Sequence, residues 1–256
     1  MMVPVLGQGE YAERAAKLAA TAGLPNQASV EDRFQLQLDA EGLALHWCGE
    51  SVAPLRIDFS HGKAAYRAQH TSWRNEALAK AVGVKQGKRP VVLDLTAGLA
   101  RDAFMLASVG CPIYLAERHP VVRLLLADGI QRGQQLDSEV GEACRRMLLL
   151  PLRDVTLQQQ LMQQHFGIAD VAYADPMYPK TGKRKAQVKK DMQMFQQLVG
   201  EDNDADQLMP LAEQYGCQRI VVKRPGDAPN LDQRQPNYVL GSKKHRFDIY
   251  LRNSND

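Results

Sequence analysis

The feature that most restricts how this chain can fold is a regular alternation that begins at Pro90. Residues 91–95 (VVLDL) form a short apolar run, as a strand buried on both faces must, and residues 101–109 follow with helical spacing that stops at Gly110. The pattern then repeats. Strand-like runs stand at 111–116, 147–150, 170–174 and 219–223, and helix-like stretches at 120–135, 155–165, 187–198 and 205–215. Successive β–α units bury their apolar faces by forming a parallel sheet with helices on both sides. An α/β fold is therefore expected, with the alternating tail 246–251 (RFDIYL) as an edge strand. Ligands of such sheets bind outside the carboxyl ends of the strands, so the loops after the strands are the places to look for chemistry.

The first fifty residues differ in kind. They carry three basic and seven acidic side chains, net −4, whereas residues 51–256 carry 29 and 22, net +7. Residues 10–22 read as a helix ended by Gly23-Leu24-Pro25, and 33–37 and 43–48 alternate like half-buried strands. This predicts a small N-terminal α/β subdomain over 1–55 and a larger domain over 56–256. Residues 54–60 (PLRIDFS) look like a strand leading out of the first, and 73–82 like a helix. With 45% apolar and 24% charged residues the composition is that of a globular protein. No apolar run approaches the length of a membrane span, and the N-terminus lacks the pattern of a secretory signal. Cys48, Cys111, Cys144 and Cys217 are scattered rather than paired at metal-ligand spacing, so no metal site is expected. Such cysteines fit a cytoplasmic protein.

The loop after the first strand of the alternation reads Asp94-Leu-Thr-Ala-Gly98-Leu-Ala100-Arg101-Asp102. A glycine-bearing turn between strand and helix lets a ligand approach the backbone closely. Glu117 follows the second strand, 19 residues beyond Gly98, where an acid can bind ribose hydroxyls. Both a nicotinamide dinucleotide and S-adenosylmethionine meet these requirements. The turn is a poor dinucleotide fingerprint, and the acids Asp94 and Asp102 would repel a pyrophosphate, which seeks bare N–H groups at a helix start. A sulfonium cation carrying an α-ammonium group suits them better. Arg153-Asp154, after the third strand, stands where an adenine amino group can be met.

The loop after the fourth strand, Asp175-Pro-Met-Tyr178-Pro, is the most informative. Asp175 and the Pro176 carbonyl offer two acceptors for an exocyclic amine, and Tyr178 offers a face on which a flipped base can stack. Directly after it comes a basic cluster without an acid: Lys180, Lys183, Arg184, Lys185, Lys189 and Lys190. Cations at the mouth of a base pocket hold phosphates and position a nucleic acid without specifying its sequence. A solvated helix face is the usual explanation of a charge run, but the adjacency of this one to the Asp175 loop favours RNA or DNA here. Lys223-Arg224-Pro225 ends the fifth strand near the same rim, and a second basic group lies at 243–246.

The segments LDLTAGLARDAFMLASVG, ERHPVVRLLLADGI, YADPMYP and VVKRP, with HRFDIY near the end, closely resemble the ribosomal RNA small subunit methyltransferase J family over roughly residues 57–251. The resemblance implies a Rossmann-like class I methyltransferase fold. It implies methyl transfer from S-adenosylmethionine to the N2 amine of a guanine in 16S rRNA, with the rRNA or the small ribosomal subunit as partner. It also implies that Arg101, Asp102, Glu117, Arg118, Arg153, Asp154 and Asp175 bind the cofactor. The family usually carries glycine where Ala100 stands; if that position takes positive φ, alanine there costs about 1 kcal/mol. A glycine-rich run of the family near 70–75 is HTSWRN in this chain. The alternatives are an N6-adenine methyltransferase, an NAD-dependent dehydrogenase and a non-catalytic RNA-binding protein.

Overall fold

A computed structural model describes residues 2–62, 65–66, 70, 72–152, 154–177, 190–200, 202–241 and 245–252. The N-terminal part contains β1 (Val5–Gly7), α1 (Ala12–Ala22), β2 (Phe34–Asp39) and β3 (Gly42–Trp47). Gly23 ends α1 in the left-handed conformation at φ 65°, as a glycine after a helix does. β2 and β3 form an antiparallel hairpin, and β1 joins β2 in parallel. Then follow α2 (Ala77–Ala81), β4 (Val92–Asp94), α3 (Arg101–Ser108), β5 (Ile113–Leu115), α4 (Pro120–Gln134), α5 (Glu139–Arg145) and β6 (Met147–Leu149). The rest is α6 (Val155–His165), β7 (Val171–Ala174), α7 (Lys190–Val199), α8 (Leu208–Gln214), β8 (Arg219–Pro225), β9 (Tyr238–Gly241) and β10 (His245–Leu251).

The second sheet runs β6-β5-β4-β7-β8-β10-β9. Its first five strands are parallel, while β10 is antiparallel to both β8 and β9. The apolar runs are continuous because both faces are covered. Val92, Ile113, Leu115, Val171, Tyr173 and Val221 belong to one apolar cluster, and their neighbours Leu93, Tyr114, Ala172, Ile220 and Val222 to another. The first also contains buried residues of α3, α4 and α5 and reaches Phe34, Leu36 and Leu45 of the N-terminal sheet. The second is closed by Met162, Met209, Ala212 and Tyr215.

Three expectations change. The tail strand is not at the edge: β10 lies between β8 and β9, and Phe247, Asp248, Ile249 and Tyr250 are buried there. The edge is β9, whose Tyr238 and Val239 are exposed. Residues 54–60 form no strand, since only Leu55 pairs, with Leu45. These residues instead join the two parts of the chain. Phe59 stacks on Phe104 of α3 at 4.6 Å, and the Ile57 carbonyl accepts from Arg132 Nη2 at 2.6 Å. The helix expected over 73–82 shortens to α2.

The N-terminal sheet is pinned to α4 at one buried carboxylate. Asp128 Oδ2 accepts from the Leu43 amide at 3.0 Å and from Arg132 Nε at 2.8 Å. Gly42 makes that approach possible: at φ 106° it holds a conformation that L side chains rarely adopt, and a Cβ there would lie 2.4 Å from Arg132 Nε. Arg33 also donates to the Gln197 side chain of α7 at 2.9 Å, so the N-terminal part touches a helix that walls the site.

Candidate active site

The chain winds outward from β4 through β5 to β6, then returns to place β7 on the other side of β4. At such a reversal the two loops diverge and leave a crevice at the carboxyl ends of the strands. The loop after β4 is held tightly. The Ala97 amide donates to the Ala116 carbonyl at 3.1 Å, and the Ala100 amide to the Ala97 carbonyl at 2.7 Å. Gly98 has φ 50°, and Ala100 has φ 52° and ψ 28°. The position that the sequence singled out therefore does take positive φ, and the buried Ala100 bears a left-handed strain of about 1–2 kcal/mol.

Glu117, just past β5, folds back over this turn. Its Oε2 accepts from the Gly98 amide at 2.9 Å and its Oε1 from the His119 amide at 2.8 Å. Burial holds its carboxyl above the usual range, and these N–H donors oppose the shift. Each oxygen keeps a second lone pair for a ligand hydroxyl. Arg118 points away to a third loop, donating to Asp202 Oδ1 and Asp204 Oδ2, both at 2.6 Å. The other oxygen of Asp202 accepts from the Met177 amide at 2.7 Å. Asp202 thus joins the loop after β5 to the loop after β7.

Asp175 stands at the carboxyl end of β7. Its amide donates to Thr96 Oγ1 at 2.7 Å, and the Thr96 amide donates to Asp94 Oδ1 at 3.0 Å, so the loops after β4 and β7 are tied together. Asp175 Oδ2 accepts from Lys223 Nζ at 2.7 Å. The same ammonium reaches Asp102 Oδ2 at 2.8 Å, which also accepts from the Tyr173 hydroxyl at 2.6 Å. Burial pushes Asp175 above the usual carboxylate range, against the pull of Lys223. Burial would lower the Lys223 ammonium, but Asp102 and Asp175 together raise it.

One cavity of about 380 Å³ opens along these loops. Gly98, Glu117, Arg118, Asp154 and Asp175, five of the expected site residues, line it. Asp154 also caps α6, accepting from the Leu157 amide at 3.0 Å. Arg101 and Asp102 do not line it; Asp102 is joined to Asp175 through the Lys223 ammonium that both engage. Lys190 opens α7 and is exposed. Arg153, Tyr178, Lys180, Lys183, Arg184, Lys185 and Lys189 lie outside the described residues. Sequence reasoning missed Met177, Phe195, Val199, Asp202 and Asp204 in the lining. Phe195 and Val199 carried no signal beyond the ordinary apolar face of a helix, and Met177 none beyond its place in the loop after β7. The expected charge pattern is also redistributed. Burial lifts Asp94 to about 8, favouring its neutral form, and Asp102 shares the Lys223 ammonium with Asp175.

A family model described as a putative SAM-dependent methyltransferase matches residues 17–252. The ribosomal RNA small subunit methyltransferase J of Idiomarina loihiensis is 51% identical over 253 residues, covering 98% of this chain and 95% of its own. The chain belongs to the ribosomal RNA small subunit methyltransferase J family. The methyltransferase J of Ectopseudomonas mendocina is 44% identical over 95% of this chain and 91% of its own. The crystal structure of a SAM-dependent methyltransferase from Neisseria gonorrhoeae superposes with a TM-score of 0.73 at 31% identity, covering 99% of this chain and 98% of that one. The fold is thus that of the methyltransferase J family, and its cofactor is S-adenosylmethionine rather than a dinucleotide. The cavity suits this cofactor on physical grounds. Its volume is within the usual range for a small-molecule site. Glu117, Asp154, Asp175, Asp202 and Asp204 outnumber Arg118 and Arg123 along the wall, and Arg118 is already paired with two of them. An acidic surplus favours a ligand that carries a sulfonium and an ammonium.

Proposed function

We propose that this protein transfers a methyl group from S-adenosylmethionine to the exocyclic N2 amine of one guanosine in 16S rRNA, in the cytoplasm. The observation that carries the reading is Asp175, anchored at its amide by Thr96 and at Oδ2 by Lys223, at the edge of a cavity with an acidic wall. In this reading Glu117 holds the ribose hydroxyls, Asp154 meets the adenine amino group, and the turn at Gly98 receives the methionine end. Bound S-adenosylmethionine supplies an electrophilic methyl on a sulfonium.

The residues around it orient the acceptor. Asp175 and the Pro176 carbonyl accept hydrogen bonds from the guanine amine, whose lone pair is otherwise delocalised into the ring. Tyr178 stacks the flipped base, and Lys180, Lys183, Arg184, Lys185, Lys189 and Lys190 hold phosphates. Asp175 and the Pro176 carbonyl would hold the amine in line with the methyl that the bound cofactor would supply, and the amine would shed its proton after attack. No strong base is needed, and much of the rate comes from orientation. The test is Asp175→Ala in single-turnover transfer of labelled methyl to 16S rRNA and to small subunits, with the product nucleoside identified by mass spectrometry. Misplacing a reacting atom by about 1 Å costs on the order of 100-fold, so a fall of that size at saturating cofactor is expected. A variant that methylates at the parent rate, or a methylated adenine as product, would refute the reading.

A further inference from the structure

Lys223 is mostly buried near the carboxyl end of β8, with its side chain 17% exposed, and is not part of the cavity lining. It gathers carboxylates from two other elements: Asp102 from α3 at 2.8 Å and Asp175 from the end of β7 at 2.7 Å. A phosphate-binding lysine would keep its ammonium in solvent. This one spends two donors inside the protein, and Tyr173 completes the arrangement by donating to the same Asp102 oxygen. We propose that Lys223 is a positioning residue for methyl transfer, engaging Oδ2 of Asp175 so that Oδ1 is left to accept the target amine. The inference rests on the reading of Asp175 given above.

The charge environment gives Lys223 a second task. Asp175 faces Lys223 from β8, His245 from β10, Asp102 from α3 and Asp94 from β4, with Tyr173 beside it on β7. Burial and Asp102 favour the protonated acid; Lys223 and His245 favour the carboxylate. A protonated Asp175 loses one acceptor, so the rate of transfer should fall on the acidic side of its pH profile. Lys223 sets where that fall begins. A compact ammonium can sit between two carboxylates, whereas a planar guanidinium meets them in a different geometry.

The experiment measures single-turnover rate against pH, at saturating cofactor and RNA, in the parent and in Lys223→Met, Lys223→Arg and Asp102→Asn. An opposite charge at this range shifts a carboxylate by about 1–3 pH units. The acidic limb of Lys223→Met should move up by that amount, while Lys223→Arg keeps the limb near its parent position. Asp102→Asn removes a like charge and should move it the other way, which also serves as the test if Lys223→Met does not fold. Limbs that coincide in all variants overturn the proposal. So does a Lys223→Met enzyme whose only change is weaker RNA affinity with a flatter salt dependence, the mark of a phosphate contact. A change confined to the melting temperature overturns it as well. Failure of the underlying reading would look different: Asp175→Ala would then retain the parent rate.

Discussion

Replacing Gly42 with alanine should destabilise the protein by about 3 kcal/mol and leave cofactor affinity of the folded molecules unchanged. A Cβ at this position would lie 2.4 Å from Arg132 Nε and 2.6 Å from Asp128 Oδ2. The carboxylate cannot step aside without loss. Asp128 is 7% exposed and accepts the Leu43 amide as well as Arg132 Nε. A strained backbone at φ 106° contributes about 1–3 kcal/mol. Leaving the Leu43 amide buried without its acceptor adds about 1–3 kcal/mol. At roughly 2–4 °C per kcal/mol for a chain of this size, the melting temperature should fall by on the order of 10 °C. Urea unfolding of Gly42→Ala, Asp128→Ala and the double variant separates the two contributions. Without Asp128 there is no carboxylate to displace and Arg132 keeps only its bond to the Ile57 carbonyl, so the alanine should then cost less. That predicts a coupling of about 1 kcal/mol or more. Equal costs in both backgrounds would refute the close approach, and a Gly42→Ala protein as stable as the parent would refute the backbone argument too.

Glu117→Ala should weaken S-adenosylmethionine binding by about 1.5–3 kcal/mol if both ribose bonds are made, read by calorimetric titration; unchanged affinity would remove Glu117 from the ribose site. Neutralising Lys183, Arg184 and Lys185 together should weaken RNA binding and spare the cofactor. For every phosphate left without its cation the log–log salt slope should flatten by about 0.7, and an unchanged slope would leave the cluster a solvated face. Asp94 has its carboxyl lifted by burial from 3.8 to about 8. The native state therefore holds a proton that the unfolded chain releases, so stability from this group is full below about pH 4 and is lost as pH rises toward 8. Asp94→Asn should flatten that decline in denaturant melts between pH 5 and 8; a parallel decline in the variant would show that another group causes it.

Most of the sheet could be read from the chain because a strand covered on both faces must be apolar throughout, as Val92-Leu93 and Ile113-Tyr114-Leu115 are. What escaped lacked that pressure. β9 is mostly exposed, and α5 places glycine at 141 within its buried face. The site was legible where a loop follows a strand directly: Gly98, Glu117, Asp154 and Asp175 all do, and all line the cavity. It was not legible where partners come from distant segments. Nothing local to Lys223 announces Asp102, 121 positions away, or Asp175, 48 away. Arg118 could be singled out by its neighbour Glu117, but its anchors Asp202 and Asp204 lie 84 and 86 residues downstream.

The interior position of β10 bears on when this enzyme can become active. Domains fold as the chain emerges during synthesis, N-terminal parts first, yet β10, which flanks β8, is made after β8 and after every cavity-lining residue. Until it arrives, β8 presents an unpaired edge, and Phe247, the residue opposite Lys223 in the ladder, is absent. The scaffold beneath Asp175 is therefore completed only once residues 245–251 have been made. A nascent chain halted before His245 would hold every cavity-lining side chain and still lack the strand that seats them.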